Sequence, residues 1–253
     1  MNIIGIIPSR YGSTRLPAKS LADIHGKPMV QHVYERALES RLLTQVIVAT
    51  DDARIESAVA GFGGRSVMTP VEIQSGSDRI AYAARSIDAD IVVNIQGDEP
   101  LIDPAMIDRT IELLIDDARA DVGTAVKIIA SADEVANPNV VKAVLDANMF
   151  ALYFSRSPIP HVRDAASAAA WPALARFYKH LGLYVYRAEF LQQFSRFAQT
   201  PLERAEKLEQ LRILEHGYRI KCALTDTDSI AVDTMEDLEK VRLEVTRRDR
   251  SAL

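Results

Sequence analysis

The stretch NIIGIIPSRYGSTRLPAKSL, residues 2–21, passes from an apolar run into a loop that carries Arg10, Arg15 and Lys19. In NIIGII (2–7) consecutive positions are apolar, so both faces need burial, as in a parallel strand covered by helices on two sides. QVIVAT (45–50) and DIVVNIQ (90–96) read the same way. Helical patterns separate these runs. PMVQHVYERALES (28–40) is apolar at Met29, Val33, Ala37 and Leu38, and Pro28 suits a first helical turn. DDARIESAVAGFGG (51–64) closes on glycines, and SGSDRIAYAARSI (75–87) opens with serines and an aspartate that favour a helix start. Strand–helix alternation predicts an α/β fold, a doubly wound, mostly parallel sheet with right-handed crossovers. Ligands of such sheets bind beyond the carboxyl ends of the strands. The cationic loop lies at such an end.

The pattern changes near residue 138. NVVKAVLDANMFALYFSR (139–156) reads as two strands joined at Asp146-Ala147-Asn148. RDAASAAAWPALARF (163–177) is low in complexity and predicts a mobile loop, whereas FYKHLGLYVYR (177–187) and RIKCAL (219–224) return to strand character. TPLERAEKLEQLRILEHG (200–217) predicts one helix, with Thr200 as cap, Pro201 first, Glu203 completing a capping box and Gly217 at the end. SIAVDTMEDLEKVRLEV (229–245) leads into a last helix capped by Thr234. No repeat or linker interrupts the 253 residues, so a single α/β domain is expected. Its expected parts are a core over 1–130, a smaller α+β lobe over 131–218, and a return to the core over 219–253.

A net charge of −5 argues against a nucleic-acid partner, which calls for broad basic surfaces. A small anion needs only a local positive island. The single cysteine, Cys222, can form no internal disulfide, which fits a reducing compartment. The amino end lacks a basic n-region, and no window approaches the ~20 apolar residues of a membrane span. A soluble, cytoplasmic protein with no membrane partner is the expectation.

The opening loop contains neither G-x-G-x-x-G nor G-x-x-x-x-G-K-[ST], so any anion there is held by side chains. Arg10 and Arg15 offer planar forks and Lys19 a compact charge; by composition a solvated loop and an anion cradle both stay open. In VNIQGDEPLI (93–102) a buried run delivers Asp98 to the sheet edge, either as a turn residue or as a ligand for a magnesium ion on a triphosphate. Asp233, just before the Thr234 cap, either serves that cap or joins Asp98 in a two-carboxylate site. QSGSDR (74–79) suits an anion, the edge of a nucleobase, or ordinary capping. A lone His180 on a strand is more often structural than functional, Glu209 and Gln210 read as a solvated helix face, and Arg156 and Arg163 fit surface arginines.

Nine stretches together carry a resemblance: IIPSRYGSTRLPAKSL, IHGKPM, VATDD, QSGSDR, NIQGDEPLI, ALYFSRSPIP, KHLGLYVYR, LEQLRIL and VDTMEDLEKVR. In this order they resemble the 3-deoxy-manno-octulosonate cytidylyltransferase family over nearly the whole chain. The resemblance implies a nucleotide-diphospho-sugar transferase-like fold whose smaller lobe binds the sugar and supports a homodimer. It implies that CTP and the eight-carbon acidic sugar Kdo give CMP-Kdo and pyrophosphate, with Mg²⁺ as cofactor, for lipopolysaccharide assembly. Arg10, Arg15 and Lys19 then match the triphosphate cradle, with Pro8 and Ser9 near the nucleotide and Gln74, Ser75 and Gly76 around the cytosine. Asp98 and Asp233 match the metal ligands, and with Arg10 and Lys19 the catalytic set. Gln96, Arg156, Arg163, His180, Tyr184, Glu209 and Gln210 match the sugar pocket. The rivals are a cytidylyltransferase for another acidic sugar, 8-amino-Kdo or a sialic acid, and a non-catalytic nucleotide-binding module. Ala18 and Ser20 stand where the family often has Gly and Pro, and Ala18 would be strained if the turn needs positive φ. Met235 replaces the usual Pro, a loss of first-turn preference only.

Overall fold

The computed structural model describes residues 1–12 and 16–251, with side chains up to residue 248. Arg15 lies outside the described residues. The chain divides into two compact units, Met1–Asp108 with Ser229–Leu253, and Arg109–Asp228.

In the first unit four strands, β1 (Ile3–Ser9), β2 (Gln45–Thr50), β3 (Ser66–Met68) and β4 (Ile91–Asn94), run parallel in the order β4-β1-β2-β3. Ile4, Ile6, Ile7, Val48, Val92 and Val93 are removed from water, so successive residues of one strand are buried on both faces. Burying each such side chain contributes roughly 1.5–3 kcal/mol. Helices α1 (Met29–Leu38), α2 (Ala53–Gly61) and α3 (Gly76–Ala84) supply the cover. α2 starts where Asp52 Oδ1 accepts the Arg54 amide at 2.9 Å, and α3 where Ser75 Oγ accepts the Asp78 amide at 2.9 Å. Pro28 precedes α1 with ψ 147°, so it caps the helix from outside and does not enter the first turn. The chain steps outward from β1 to β2 and β3, then crosses back to place β4 on the other side of β1. That reversal creates a crevice at the carboxyl ends of β1 and β4.

The second unit is mixed. β5 (Val122–Ile129) pairs parallel with β9 (Ile220–Leu224) and antiparallel with β8 (Phe177–Arg187). β6 (Lys142–Leu145) and β7 (Ala151–Ser155) form the expected hairpin, and β6 also pairs with β8. Asp146 Oδ1 closes the hairpin by accepting the amides of Asn148 and Phe150, each at 2.8 Å.

Two expectations need correction here. The low-complexity stretch contains a 3₁₀ turn, Ala168–Ala170, and a helical turn, Trp171–Leu174, because Trp171 gives it an anchor. The indole stacks on Phe177 with ring centres 6.0 Å apart and meets His161 edge-on at 5.3 Å. The single long helix breaks into Pro201–Glu206 and Gln210–Glu215, with Lys207 in the left-handed region at φ 54°. The break lets Leu208 and Leu211 reach the interior. It also turns Arg212 onto Glu203 in a bidentate pair, at 2.8 Å from Nε and 2.5 Å from a terminal nitrogen. The same Glu203 carboxylate accepts the Thr200 amide at 3.2 Å, as expected of a capping box.

Candidate active site

Three segments far apart in sequence meet at the crevice of the first unit, and apolar packing brings them there. Leu16, Leu101 and Val232 lie in one buried cluster with Ile24, Met29, Leu238 and Val241. Each of the first three sits within three residues of a charged side chain, Lys19, Asp98 and Asp233 in turn. The Val232 amide also donates to the Asp98 carbonyl at 2.8 Å, which fixes the segment carrying Asp233 beside the one carrying Asp98. The charges therefore converge. Lys19 Nζ lies 2.7 Å from Asp98 Oδ2 and 3.1 Å from Asp233 Oδ1.

Around this triad is a cleft of about 300 Å³ lined by Pro8 and Ser9 at the carboxyl end of β1, Arg10 just after it, Gln74–Gly76 at the start of α3, and Gln96–Asp98 after β4. Gly97 is a requirement of the close approach. A Cβ there would stand 2.8 Å from the Pro8 carbonyl oxygen and 3.1 Å from Ser9 Oγ. Arg10 reaches across the cleft and donates to the Gln74 carbonyl at 3.2 Å. Ser75 spends its side-chain oxygen on the helix cap, so its bland reading holds while it also lines the cleft. Ser9 is buried, and its hydroxyl has no hydrogen-bond partner among the described residues.

Lys19 follows Ala18, whose φ of 55° and ψ of 30° put it in the left-handed region. The strain anticipated for an alanine at this turn is present.

The cleft also holds Ser20, which the sequence marked only as a departure from the family pattern, and Arg79, which it did not single out. Arg79 is buried in the first turn of α3, and its neighbours in QSGSDR gave only a capping signal.

The remaining candidates belong to the second unit. His180 and Tyr184 lie on β8 with ring centres 5.3 Å apart. His180 Nε2 is 3.0 Å from the Thr124 hydroxyl, which donates to the Leu183 carbonyl at 2.7 Å, so the imidazole donates from Nε2 and leaves Nδ1 as an acceptor. Burial pulls its pKa down to about 4 and pushes the Tyr184 phenol up. Glu209 precedes the Gln210–Glu215 helix half-buried, and Gln210 is buried, so neither belongs to a solvated face. Arg156 donates to the carbonyls of Glu206 and Pro138 at 2.8 and 3.1 Å, and Arg163 is exposed.

Among the described residues no group of three or more His, Cys, Asp or Glu side chains could form a metal cage. Two converging carboxylates fit magnesium, which takes one or two carboxylates and completes its shell with phosphate oxygens and water. No helix among the described residues is long and apolar enough to cross a membrane.

A parallel sheet with a crevice at its reversal point, rimmed by cations and two carboxylates, fits a nucleotidyltransferase. A cytidylyltransferase family profile matches residues 4–220. A 3-deoxy-manno-octulosonate cytidylyltransferase of Geobacter metallireducens is 54% identical over 98% of this chain and 99% of its own. One of Chloroherpeton thalassium is 48% identical over 96% and 97%. The solved structure of CMP:2-keto-3-deoxy-manno-octonic acid synthetase complexed with CTP superposes with a TM-score of 0.92 at 44% identity, over 98% of this chain and all of that one. The chain belongs to the 3-deoxy-manno-octulosonate cytidylyltransferase family.

Proposed function

We propose that this enzyme transfers a cytidylyl group from CTP to Kdo, giving CMP-Kdo and pyrophosphate. The observation that carries the proposal is the meeting of Asp98 and Asp233 on Lys19, inside a cleft at the strand-order reversal. Family membership supplies the substrate class.

The anomeric oxygen of Kdo forms a bond to the α-phosphorus, the bond to the β-phosphate oxygen breaks, and the hydroxyl proton leaves. A nucleophile and an electrophile that are both poor in water must be aligned and neutralised. Arg10 and Lys19 set positive charge where the triphosphate accumulates negative charge, and Arg15 belongs to the same cradle by resemblance. Asp98 and Asp233 are the residues to hold magnesium. Held there, the metal would supply Lewis acidity for the sugar hydroxyl and charge screening for the phosphates. Gln74–Gly76 and Gln96 line the cleft, and in this reading the former serve the base and Gln96 the sugar. His180, with a neutral ring and Nδ1 as acceptor, suits a sugar hydroxyl, and Tyr184, Glu209, Gln210, Arg156 and Arg163 complete that half of the proposal. Homodimerisation through the second unit, a cytoplasmic setting and a role in lipopolysaccharide assembly belong to the same reading.

Pyrophosphate release from CTP and Kdo, with and without Mg²⁺, tests it. Release that requires Kdo and the metal is expected, with little or none from 8-amino-Kdo or sialic acid. Turnover with a rival sugar alone would move the assignment, and CTP binding without turnover on any of them would reduce the protein to a binding module.

A further inference from the structure

Arg79 stands in the first turn of α3, and yet it is only 2% exposed. Its guanidinium reaches three acceptors. One terminal nitrogen donates to the Thr69 hydroxyl, and the other to Asp51 Oδ2 at 2.7 Å and to the Ile73 carbonyl at 2.9 Å. Asp51 follows β2, Thr69 follows β3, and Ile73 immediately precedes Gln74-Ser75-Gly76. Thr69 is itself tied to the sheet, its amide donating to the Thr50 carbonyl at 2.8 Å. One buried fork thus fastens the loop that lines the cleft to the ends of two strands. The loop passes this order on, since the Gln74 carbonyl accepts from Arg10.

We infer that Arg79 is the positioning residue for base selection, holding the 74–76 loop where its backbone can tell cytosine from uracil. The inference rests on the reading that this cleft takes CTP. Cytosine presents an amino donor where uracil presents a carbonyl oxygen. A fixed backbone acceptor rejects the wrong base because the mismatch leaves it desolvated and unpaired. A loop free to shift by about 1 Å adapts to either base. Lysine cannot replace the arginine, because a single ammonium lacks the planar fork that spans three acceptors.

Calorimetric binding of CTP and of UTP without sugar tests this on wild type, Arg79→Lys, Asp51→Asn and Thr69→Ser, with a urea midpoint for each. Wild type is expected to prefer CTP. In Arg79→Lys the CTP-over-UTP ratio is expected to fall by about tenfold, CTP losing affinity while UTP changes little. Thr69→Ser keeps its hydroxyl and should keep the ratio, and in turnover the KM for CTP should rise in Arg79→Lys while that for Kdo stays. Asp51→Asn is the milder variant and carries the same expectation should Arg79→Lys fold poorly. An unchanged ratio, or equal weakening of both nucleotides, would make the guanidinium a structural brace and overturn the inference alone. Wild type that does not prefer CTP would overturn the cytidylyl reading of the cleft along with it.

Discussion

Lys19 with Asp98 and Asp233 in the first unit, and Arg212 with Glu203 in the second, are both acid–base clusters at hydrogen-bond distance, but water reaches them very differently. The side chains of the first are 17%, 28% and 35% exposed, those of the second 8% and 6%. The first mixes one cation with two partly exposed anions. The second is a closed bidentate pair whose Glu203 also serves a helix cap. Solvent access marks a cluster that can exchange partners during turnover, whereas full burial marks one that holds the chain in place.

Substitution should therefore separate activity from stability in opposite ways. The largest effect is expected at the cleft: Asp98→Asn or Asp233→Asn should lower kcat by about a thousandfold. Either should leave the urea midpoint almost unchanged, since partly exposed ion pairs contribute only about 0–1 kcal/mol. Full activity in both would remove the metal assignment. Arg212→Met should do the reverse, costing about 3 kcal/mol by stranding a buried carboxylate while turnover per folded molecule survives. Each kcal/mol corresponds to about 2–4 °C in Tm for a chain of this size. Adding Glu203→Leu should restore much of that loss, and a double variant no better than the single would show that the cap, not the ion pair, carries the cost.

The two clusters also differ in how far the sequence reveals them. Asp98 and Lys19 follow buried β-branched runs or turn residues, and strand ends are where α/β sheets place ligands, so their neighbourhood was legible from local pattern. That Asp233 joins them was a matter of resemblance, because the Val232–Asp98 backbone bond and the shared apolar cluster span most of the chain. The Glu203–Arg212 pair was hidden for another reason. A continuous 3.6-residue pattern over 200–217 reads as one helix, and nothing local announces that Lys207 turns left-handed to bury Leu208. Arg79 was missed similarly, since a first-turn arginine is ordinarily solvated and its three acceptors come from elsewhere in the fold.

A smaller effect sharpens the contrast within the second unit, where burial acts on a titrating ring in place of a permanent charge. His180 titrates at about 4 in the fold because burial disfavours its cation, against about 6.5 in the unfolded chain. The native state therefore binds fewer protons between those values, so stability is intact above about pH 6.5 and declines as pH falls toward 4. Urea midpoints at pH 7 and pH 5 should differ for wild type and converge in His180→Gln. An equal difference in both proteins would place the pH dependence elsewhere.

The smallest effect lies back at the exchangeable cluster, where backbone strain sits one residue before Lys19. Ala18 holds φ 55° without the freedom of glycine, at a cost of about 1–2 kcal/mol for an L-residue with a Cβ. Ala18→Gly relieves that strain and loses part of the gain to the greater entropy of the unfolded glycine, about 0.5–1 kcal/mol. The net expectation is stabilisation of about 0.5–1 kcal/mol, read as a small rise in the urea midpoint. The consequence for turnover discriminates further. If the turn serves only to aim Lys19, kcat stays level because glycine adopts the same dihedrals. A fall in kcat together with the stability gain would mean that the rigidity of Ala18 itself keeps the ammonium over the two carboxylates, and that the working cluster also depends on a fixed scaffold.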